Sequence, residues 1–322
     1  MRRTSTAGLA LLLALATAAC GSGNGGNGNT GSSPGGSSSA PSGSARSAVS
    51  VTGTEGSKPT IKVDTPLKLK KSSSWTLSRG HGATVRSNDS YLVDLTFADG
   101  RTGKVVASTY DPGQQPVLFG PAQNFPVISD AVTGVPTGSR VVVAAAPQDA
   151  YGSKGNAQLG IKPGDSVVMV ADVTDTVLSG PQGRTVKPPK GVPALQTAQG
   201  NTPTGFDFSG APKPRQLRVV TLVKGNGPKV AAGDLVVANY LGAVWGKSKP
   251  FDASYTRGQP FSFTVGQGQV IPAWDKGLTG VTVGSRVLLL CPPGVAYGKQ
   301  GSGSTIPPNA TLAFVVDVLG RA

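Results

Sequence analysis

A set of residues in the middle of the chain recurs in the same order 146 positions later. Thr133-Gly134-Val135, Gly138-Ser139-Arg140 and Ala150-Tyr151-Gly152 are followed by Thr279-Gly280-Val281, Gly284-Ser285-Arg286 and Ala296-Tyr297-Gly298. Upstream of both sets, Gly80-His81-Gly82 through Leu95 matches Gly225-Asn226-Gly227 through Tyr240 at an offset of 145. Composition bias would hardly produce an ordered set at one offset. The sequence therefore predicts a tandem duplication of one domain, not a many-fold solenoid.

Both halves of the duplication are predicted to be mainly β structure. Runs of Val and Thr alternate with turn residues, glycine (46) and proline (26) are abundant, and only 14% of residues are charged. In the first half we expect strands at Leu67-Lys68-Leu69-Lys70, 91–97, 141–145 and 167–170, with a hairpin turn at 98–101. In the second half we expect strands at 217–223, 235–241, 261–265, 285–291 and 312–319, and a short helix that begins at Pro272.

The N-terminus has the pattern of a secretory signal. Arg2-Arg3 precedes the apolar run Leu9 to Ala16, which is too short for a permanent transmembrane anchor. Thr17-Ala18-Ala19-Cys20 resembles a bacterial lipobox. Residues 1–20 are therefore predicted as a signal peptide with a lipobox-like Cys20, which would carry the lipid. The alternative is an ordinary signal peptide that is cut nearby. The lipobox interpretation predicts a protein anchored to the outer face of the cytoplasmic membrane.

Composition also divides the chain and excludes some functions. Residues 21–55 are rich in Gly, Ser and Asn and predict a disordered tether, and the Pro-rich residues 179–205 predict a linker. The folded segments are then 56–178 and 206–322. The formal net charge is +14, but the basic residues are scattered among few aromatics, so no nucleic-acid partner is expected. Besides Cys20, only Cys291 is present, and its apolar neighbours predict a buried hydrophobe.

The second segment resembles the FKBP-type peptidyl-prolyl cis/trans isomerases, the immunophilins that bind macrolides. The resemblance covers residues 217–319 almost without a gap. Its motifs are Val237-Ala238-Asn239-Tyr240-Leu241-Gly242, Phe251-Asp252-Ala253-Ser254, Gln259-Pro260-Phe261, Val270-Ile271-Pro272-Ala273-Trp274, Val283-Gly284-Ser285-Arg286, Ala296-Tyr297-Gly298 and Ile306-Pro307-Pro308-Asn309-Ala310-Thr311-Leu312-Ala313-Phe314.

The resemblance implies an α+β fold of two tandem FKBP-like domains, each an antiparallel β-sheet wrapped around one short α-helix. It also implies a pocket without cofactor or metal. The residues implied to form the catalytic pocket are Tyr240, Phe251, Asp252, Phe261, Val270, Ile271, Trp274, Tyr297 and Phe314, with Arg257 and Ile306 as substrate-binding residues. Proline-containing polypeptides are the implied clients, and macrolides of the tacrolimus or rapamycin type are further candidate ligands.

The first segment has lost most of these residues. The positions of Phe251-Asp252 align with Val106-Ala107, and those of Tyr240 and Phe261 align with Leu95 and Val117. Trp274 aligns with about Ile128 and Phe314 with about Met169, whereas Tyr151 is retained. We therefore expect a degenerate first domain and a catalytic second one. The alternative is a non-catalytic client-binding protein or holdase built from two FKBP-like domains.

Overall fold

The computed structural model describes residues 43–120, 125–247 and 249–322. The predicted signal peptide, Cys20 and residues 21–42 of the predicted tether lie outside these ranges. Within them, no helix combines the length and the apolar character needed to cross a bilayer.

The first folded segment contains one antiparallel sheet in the strand order β3-β7-β8-β4-β5, with β6 also paired to β4. A short helix, α2, begins at Pro126. Proline suits this position because an N–H there would have no intrahelical partner. The elements are α1 (Gly43–Ser47), β1 (Val49–Thr52), β2 (Thr60–Val63), β3 (Ser73–Ser78), β4 (Ser90–Asp99), β5 (Val105–Ser108), β6 (Val117–Phe119), α2 (Pro126–Val132), β7 (Ser139–Ala145) and β8 (Val167–Val177), with 3₁₀ turns at Pro147–Asp149 and Ala157–Leu159.

The second folded segment repeats this arrangement. Its sheet has the order β14-β13-β17-β16-β12-β9, with β15 also paired to β13. The elements are β9 (Gly183–Thr185), β10 (Ala194–Thr197), β11 (Pro203–Asp207), β12 (Arg218–Gly225), β13 (Leu235–Val244), β14 (Asp252–Ala253), β15 (Phe261–Thr264), α3 (Pro272–Leu278), β16 (Arg286–Cys291) and β17 (Leu312–Arg321), with 3₁₀ turns at Gln199–Asn201, Ser254–Arg257 and Pro293–Val295.

The strand registers of the two sheets also correspond. Phe97 of β4 faces Met169 of β8, and Gly242 of β13 faces Phe314 of β17. Both pairs differ by the offset of 145 that the sequence shows. The five strands predicted for the second segment and the helix after Pro272 are confirmed. The predicted domain boundaries stay predictions.

Three sequence expectations differ from the structure. Leu67-Lys68-Leu69-Lys70 alternates in polarity but forms no strand. The segment is irregular because Leu67 is buried and its backbone N–H donates to the Gly100 carbonyl. The end of the predicted tether forms α1 and β1 (residues 43–47 and 49–52), since Ala45, Val49 and Val51 pack with Trp75 on the first sheet. The first segment therefore has two short helices instead of the expected one. The predicted linker at 179–205 contains β9 and β10 and the first residues of β11.

Each sheet is covered on both faces. The helix lies on one face, over a core that contains Ile128 in the first sheet and Trp274 in the second. A two-stranded hairpin covers the other face, β1–β2 over the first sheet and β10–β11 over the second. The hairpins are the reason that the strands β7 and β16 are buried along their whole lengths.

A buried ion pair joins each hairpin to its sheet. Arg286 Nε donates to the Asp317 carboxylate at 2.6 Å, and the same guanidinium donates to the Asn201 carbonyl beside β11 at 2.9 Å. In the first sheet Arg140 bonds to Asp172 and to the carbonyls of Gly53 and Ser57. Each arginine is therefore paired within its sheet and also holds the hairpin turn.

Apolar residues near the ends of interior strands of the two sheets contact each other. Leu92 and Val177 of the first sheet pack with Leu235, Val237 and Leu319 of the second. The Leu178 N–H donates to the Leu319 carbonyl at 3.0 Å. The two sheets therefore share a small buried cluster.

We expect Asp317→Asn to lower the free energy of unfolding by about 3 kcal/mol, because it leaves the buried Arg286 without its counter-charge. Asp111→Asn is the control, since the Lys58–Asp111 pair is about half exposed and should contribute less than about 1 kcal/mol. Urea denaturation of the full chain measures both values. Equal losses in the two variants would contradict the role of the buried pair.

Candidate active site

Three strands of the second sheet and helix α3 bring aromatic rings to one point. Tyr240 comes from β13, Phe261 from β15 and Phe314 from β17. Trp274 lies in the first turn of α3, where its backbone N–H donates to the Ile271 carbonyl at 2.9 Å. Because Pro272 begins this helix, the indole is held over the sheet at a fixed place in the chain.

The indole of Trp274 is the centre of the aromatic cluster. Its ring centroid lies 5.2 Å from that of Tyr240 and 5.5 Å from that of Phe314, with interplanar angles of 84° and 89°. Phe261 meets it at 6.3 Å, and Phe314 in turn meets Phe251 edge-on at 5.7 Å. Edge-to-face pairs of this kind favour each other beyond the area that they bury. The cluster is therefore a rigid apolar wall.

Gly242 makes room for two of these rings. A Cβ atom at this position would lie 2.7 Å from Phe251 Cζ and 2.7 Å from Phe314 Cε1, closer than any normal contact. In the first sheet the equivalent position is Phe97, which is buried and fills the space itself. Gly242 is thus a requirement of this site that our sequence analysis did not identify.

Three polar residues form a network at the edge of the cluster. The Tyr240 hydroxyl and the Arg257 guanidinium both donate to the Asp252 carboxylate, and Arg257 Nη2 also donates to the Tyr240 hydroxyl at 3.0 Å. Burial opposes ionisation of Asp252, but the hydrogen bonds from Tyr240 and Arg257 outweigh it and hold its pKa below the ordinary value. The carboxylate therefore stays charged and keeps Tyr240 oriented.

The rim of the site is more open than its floor. Tyr297 is 38% exposed and Phe261 is 37% exposed, whereas Trp274 is 4% exposed. Burial, followed by the charge of Asp252, raises the pKa of Tyr297, so its hydroxyl stays protonated and can donate a hydrogen bond. Val270 and Ile271 are half-buried. The rim thus offers a donor above an apolar floor.

The remaining predicted residues also lie here. Ile306 is buried against the same core, and its backbone is joined to that of Ser302 by hydrogen bonds of 2.8 and 3.1 Å. All eleven residues predicted for the pocket in the second segment are therefore gathered in one region. Their individual roles stay predictions.

Two donors at the site have no acceptor among the described residues of the protein. In the part of the chain that the structure describes, the Ile271 N–H makes no hydrogen bond. The Trp274 Nε1 is buried and also has no acceptor in this part. Buried donors without partners are rare, and such groups are available to a ligand.

Phe263 is a further member of the cluster that sequence reasoning missed. Its ring stacks on Phe261 at 5.4 Å and meets Trp274 at 5.3 Å. The β15 strand places Phe261 and Phe263 two positions apart, so both side chains lie on one face of the sheet. The alternation Phe-Ser-Phe in the sequence therefore indicates that Phe263 lies on the same face as Phe261.

Among the residues that the structure describes, the first sheet has no equivalent site. The registers place Leu95 and Ala107 where the second sheet has Tyr240 and Asp252, so the polar network is absent there. Tyr151 is retained, but it packs on Phe125 at 6.0 Å, and burial raises its pKa to about 12. The aliphatic replacements fill a core instead of lining a pocket.

Comparison with known proteins gives matches to the second segment. The family model of FKBP-type peptidyl-prolyl cis-trans isomerases matches residues 227–319. An FK506-binding protein of Streptomyces anulatus is 41% identical over 114 residues, which are 35% of this chain and 92% of that protein. The peptidyl-prolyl cis-trans isomerase Fkbp12 of Drosophila melanogaster is 41% identical over 104 residues, 32% of this chain and 95% of that protein.

Solved structures match the chain as well. The crystal structure of AtFKBP13 is 36% identical, covers 34% of this chain and 96% of its own, and has a TM-score of 0.32. That of FkpA from Escherichia coli is 35% identical, covers 41% of this chain and 52% of its own, and has a TM-score of 0.31.

We expect Gly242→Ala to lower the free energy of unfolding by about 1–3 kcal/mol, because the added methyl group displaces the rings of Phe251 and Phe314. The control is Gly294→Ala, since a Cβ at Gly294 meets no atom within 4 Å. Urea denaturation followed by tryptophan fluorescence measures both. If the two variants are equally stable, the aromatic cluster is looser than the distances indicate.

The lowered pKa of Asp252 predicts a pH dependence of stability. A carboxylate with a depressed pKa in the folded state stabilises the fold above its ordinary value, and this contribution is lost as pH falls through the folded value. The stability difference between the wild type and Asp252→Asn should therefore be constant above about pH 5 and shrink toward about pH 3. Urea midpoints measured across this range provide the test. A difference that changes between pH 6 and 8 would contradict the assignment.

Proposed function

Because the chain belongs to the FKBP-type peptidyl-prolyl cis-trans isomerase family, we propose that residues 206–322 catalyse the cis/trans rotation of Xaa-Pro bonds in polypeptides. The observation that carries this proposal is the apolar cluster around Trp274 with the Tyr240–Asp252–Arg257 network beside it. Such a site has no need of a nucleophile or a metal ion.

The chemistry of the prolyl bond explains why an apolar pocket is sufficient. Rotation requires loss of the partial double bond of the amide, with a barrier of about 18–20 kcal/mol. The twisted transition state has less charge separation than the planar amide. An apolar pocket therefore binds the twisted form better relative to water, which is differential binding of the transition state.

Individual residues have distinct parts in this mechanism. The proline ring rests on the Trp274 indole, which is the floor of the cluster. The unpaired Ile271 N–H and the Tyr297 hydroxyl donate to carbonyl oxygens of the peptide and hold it while the amide turns. Asp252 and Arg257 act by keeping Tyr240 in place at the wall.

A further part of the proposal concerns the first sheet. We propose that residues 56–178 are a degenerate FKBP-like repeat that has no isomerase activity and instead packs beside the catalytic repeat, as the shared cluster of Leu92 and Val237 supports. A chain in which neither repeat is catalytic would be a client-binding protein or holdase. The open aromatic rim of the second repeat favours the enzyme.

The remaining parts of the proposal concern ligands and location. Relatives named FK506-binding proteins support macrolides as ligands of the same pocket. We propose that the protein acts on clients in the cell envelope, held to the outer face of the cytoplasmic membrane by a lipid on Cys20. The signal-like sequence before Cys20 supports this placement.

We expect Phe314→Ala and Asp252→Ala to lower kcat/KM by at least about ten-fold, equivalent to about 1.4 kcal/mol of transition-state stabilisation. Tyr297→Phe should lower it as well, because the hydroxyl can no longer hold the peptide carbonyl. Tyr151→Phe, the matched change in the first repeat, should leave it unchanged. A protease-coupled assay on proline peptides with the full chain measures all four. Equal losses from Tyr297→Phe and Tyr151→Phe would mean that the active repeat is misassigned.

We expect Cys20→Ala to move the protein from the membrane fraction to the soluble fraction, because the thiol that carries the lipid is absent. Cell fractionation with and without detergent measures the distribution. The control is Cys291→Ala, whose thiol is buried in β16 and should leave the distribution unchanged. Retention of Cys20→Ala on membranes would refute the lipid anchor.

A further inference from the structure

A cavity of about 550 Å³ lies behind the edge strand β14, on the opposite side of the second sheet from Trp274. Leu241 forms part of its wall, and because side chains alternate along β13, Leu241 faces away from the side that Tyr240 faces. Phe251 and Asp252 line the cavity and also belong to the aromatic site. The cavity and the aromatic site are therefore separated only by β14.

The hairpin on the back of the sheet builds the other wall. Thr202, Pro203 and Thr204, at the turn into β11 and its first residues, line the cavity. They lie outside residues 227–319, which match the family model. The cavity is thus a feature of this chain's own hairpin and not of the family-matched segment alone.

The first sheet carries an ion pair between its hairpin and the segment after β5. There Lys58, beside the first hairpin, pairs with Asp111 at 2.5 Å and bridges the hairpin to the segment after β5. In the second sheet, no ion pair among the residues that the structure describes joins the turn before β11 to the residues after β14. The cavity therefore stays open at this junction.

The lining favours an acidic peptide. Lys249 lies at the cavity and is exposed, and it has no ion-pair partner among the residues that the structure describes. Asp252 also lines the cavity, but its carboxylate is paired with Arg257 and accepts a hydrogen bond from Tyr240, so its charge is compensated within the network. Pro250, Phe251 and Leu241 add an apolar surface. A volume of this size is typical of ligand pockets.

We propose that this cavity is a second subsite, which binds residues of the client that flank the isomerised proline and prefers an acidic side chain paired with Lys249. The inference rests on the proposed isomerase function, because the flanking residues reach the cavity only when the proline occupies the aromatic site. The subsite adds affinity and selectivity and takes no part in the rotation of the amide.

The test compares three substrates on the full chain: a short proline peptide, a longer one flanked by glutamates, and the same longer one flanked by lysines. Lys249→Glu should lower kcat/KM for the glutamate peptide roughly three-fold, mainly through KM, as expected for loss of one partly exposed ion pair. It should raise kcat/KM for the lysine peptide and leave the short peptide unchanged. The effect should fade at high salt.

Two further variants make the test specific. Lys229→Glu gives the same change in net charge at an exposed residue that does not line the cavity, so it should not alter the preference between the peptides. Pro203→Lys with Thr256→Asp places a cation and an anion on two residues that line the cavity, so that an ion pair can form across it. This double variant should reduce the preference for the glutamate peptide while activity on the short peptide persists.

The outcomes separate the inference from the function on which it rests. If Lys249→Glu and Lys229→Glu shift the two longer peptides equally, general electrostatic attraction accounts for the preference and the subsite is refuted. If the wild type shows no preference between the longer peptides, the subsite is refuted while the isomerase remains. If the wild type does not accelerate isomerisation of the short peptide, the isomerase function itself fails.

Discussion

The edge-to-face packing of Trp274 is the interaction on which the candidate site depends. Rings from β13, β15 and β17 meet the indole, so a single side chain fixes the mutual positions of three strands and one helix. Gly242 permits this packing because a larger residue would occupy the space of Phe251 and Phe314. Where the first sheet has Phe97 at that position, the cluster is replaced by an ordinary core.

The buried ion pairs explain how the same scaffold supports an aromatic site in the second sheet and an ordinary core in the first. Arg140–Asp172 and Arg286–Asp317 tie each hairpin to its sheet, on the face opposite the helix. Tyr110 and Tyr255 each donate to the aspartate of their pair, so this arrangement is retained even where the pocket residues are lost. Pocket chemistry on one face could therefore change without loss of the support on the other.

The sequence predicts the second sheet well because its long strands are apolar, valine- and leucine-rich runs, and its turns carry glycine and proline at the positions that need them. The repeat offset also predicted that Leu95 of the first sheet occupies the position that Tyr240 occupies in the second, and the strand registers confirm this equivalence. The hairpins escaped prediction because their residues are few and polar on one side, so their composition is that of a tether or a linker. Their burial depends on distant partners such as Arg286 and Trp75, which no local pattern reveals.

For the proposed catalysis, binding of a proline peptide to the Trp274 cluster has to be coupled to rotation of its amide. Exchange NMR of a proline peptide, with the full chain far below the peptide concentration, tests this most directly because it reports binding and isomerisation in one sample. We expect exchange cross-peaks between the cis and trans signals with the wild type and their loss with Trp274→Ala. Peptide signals that shift on binding to the wild type without any exchange between the isomers would contradict it.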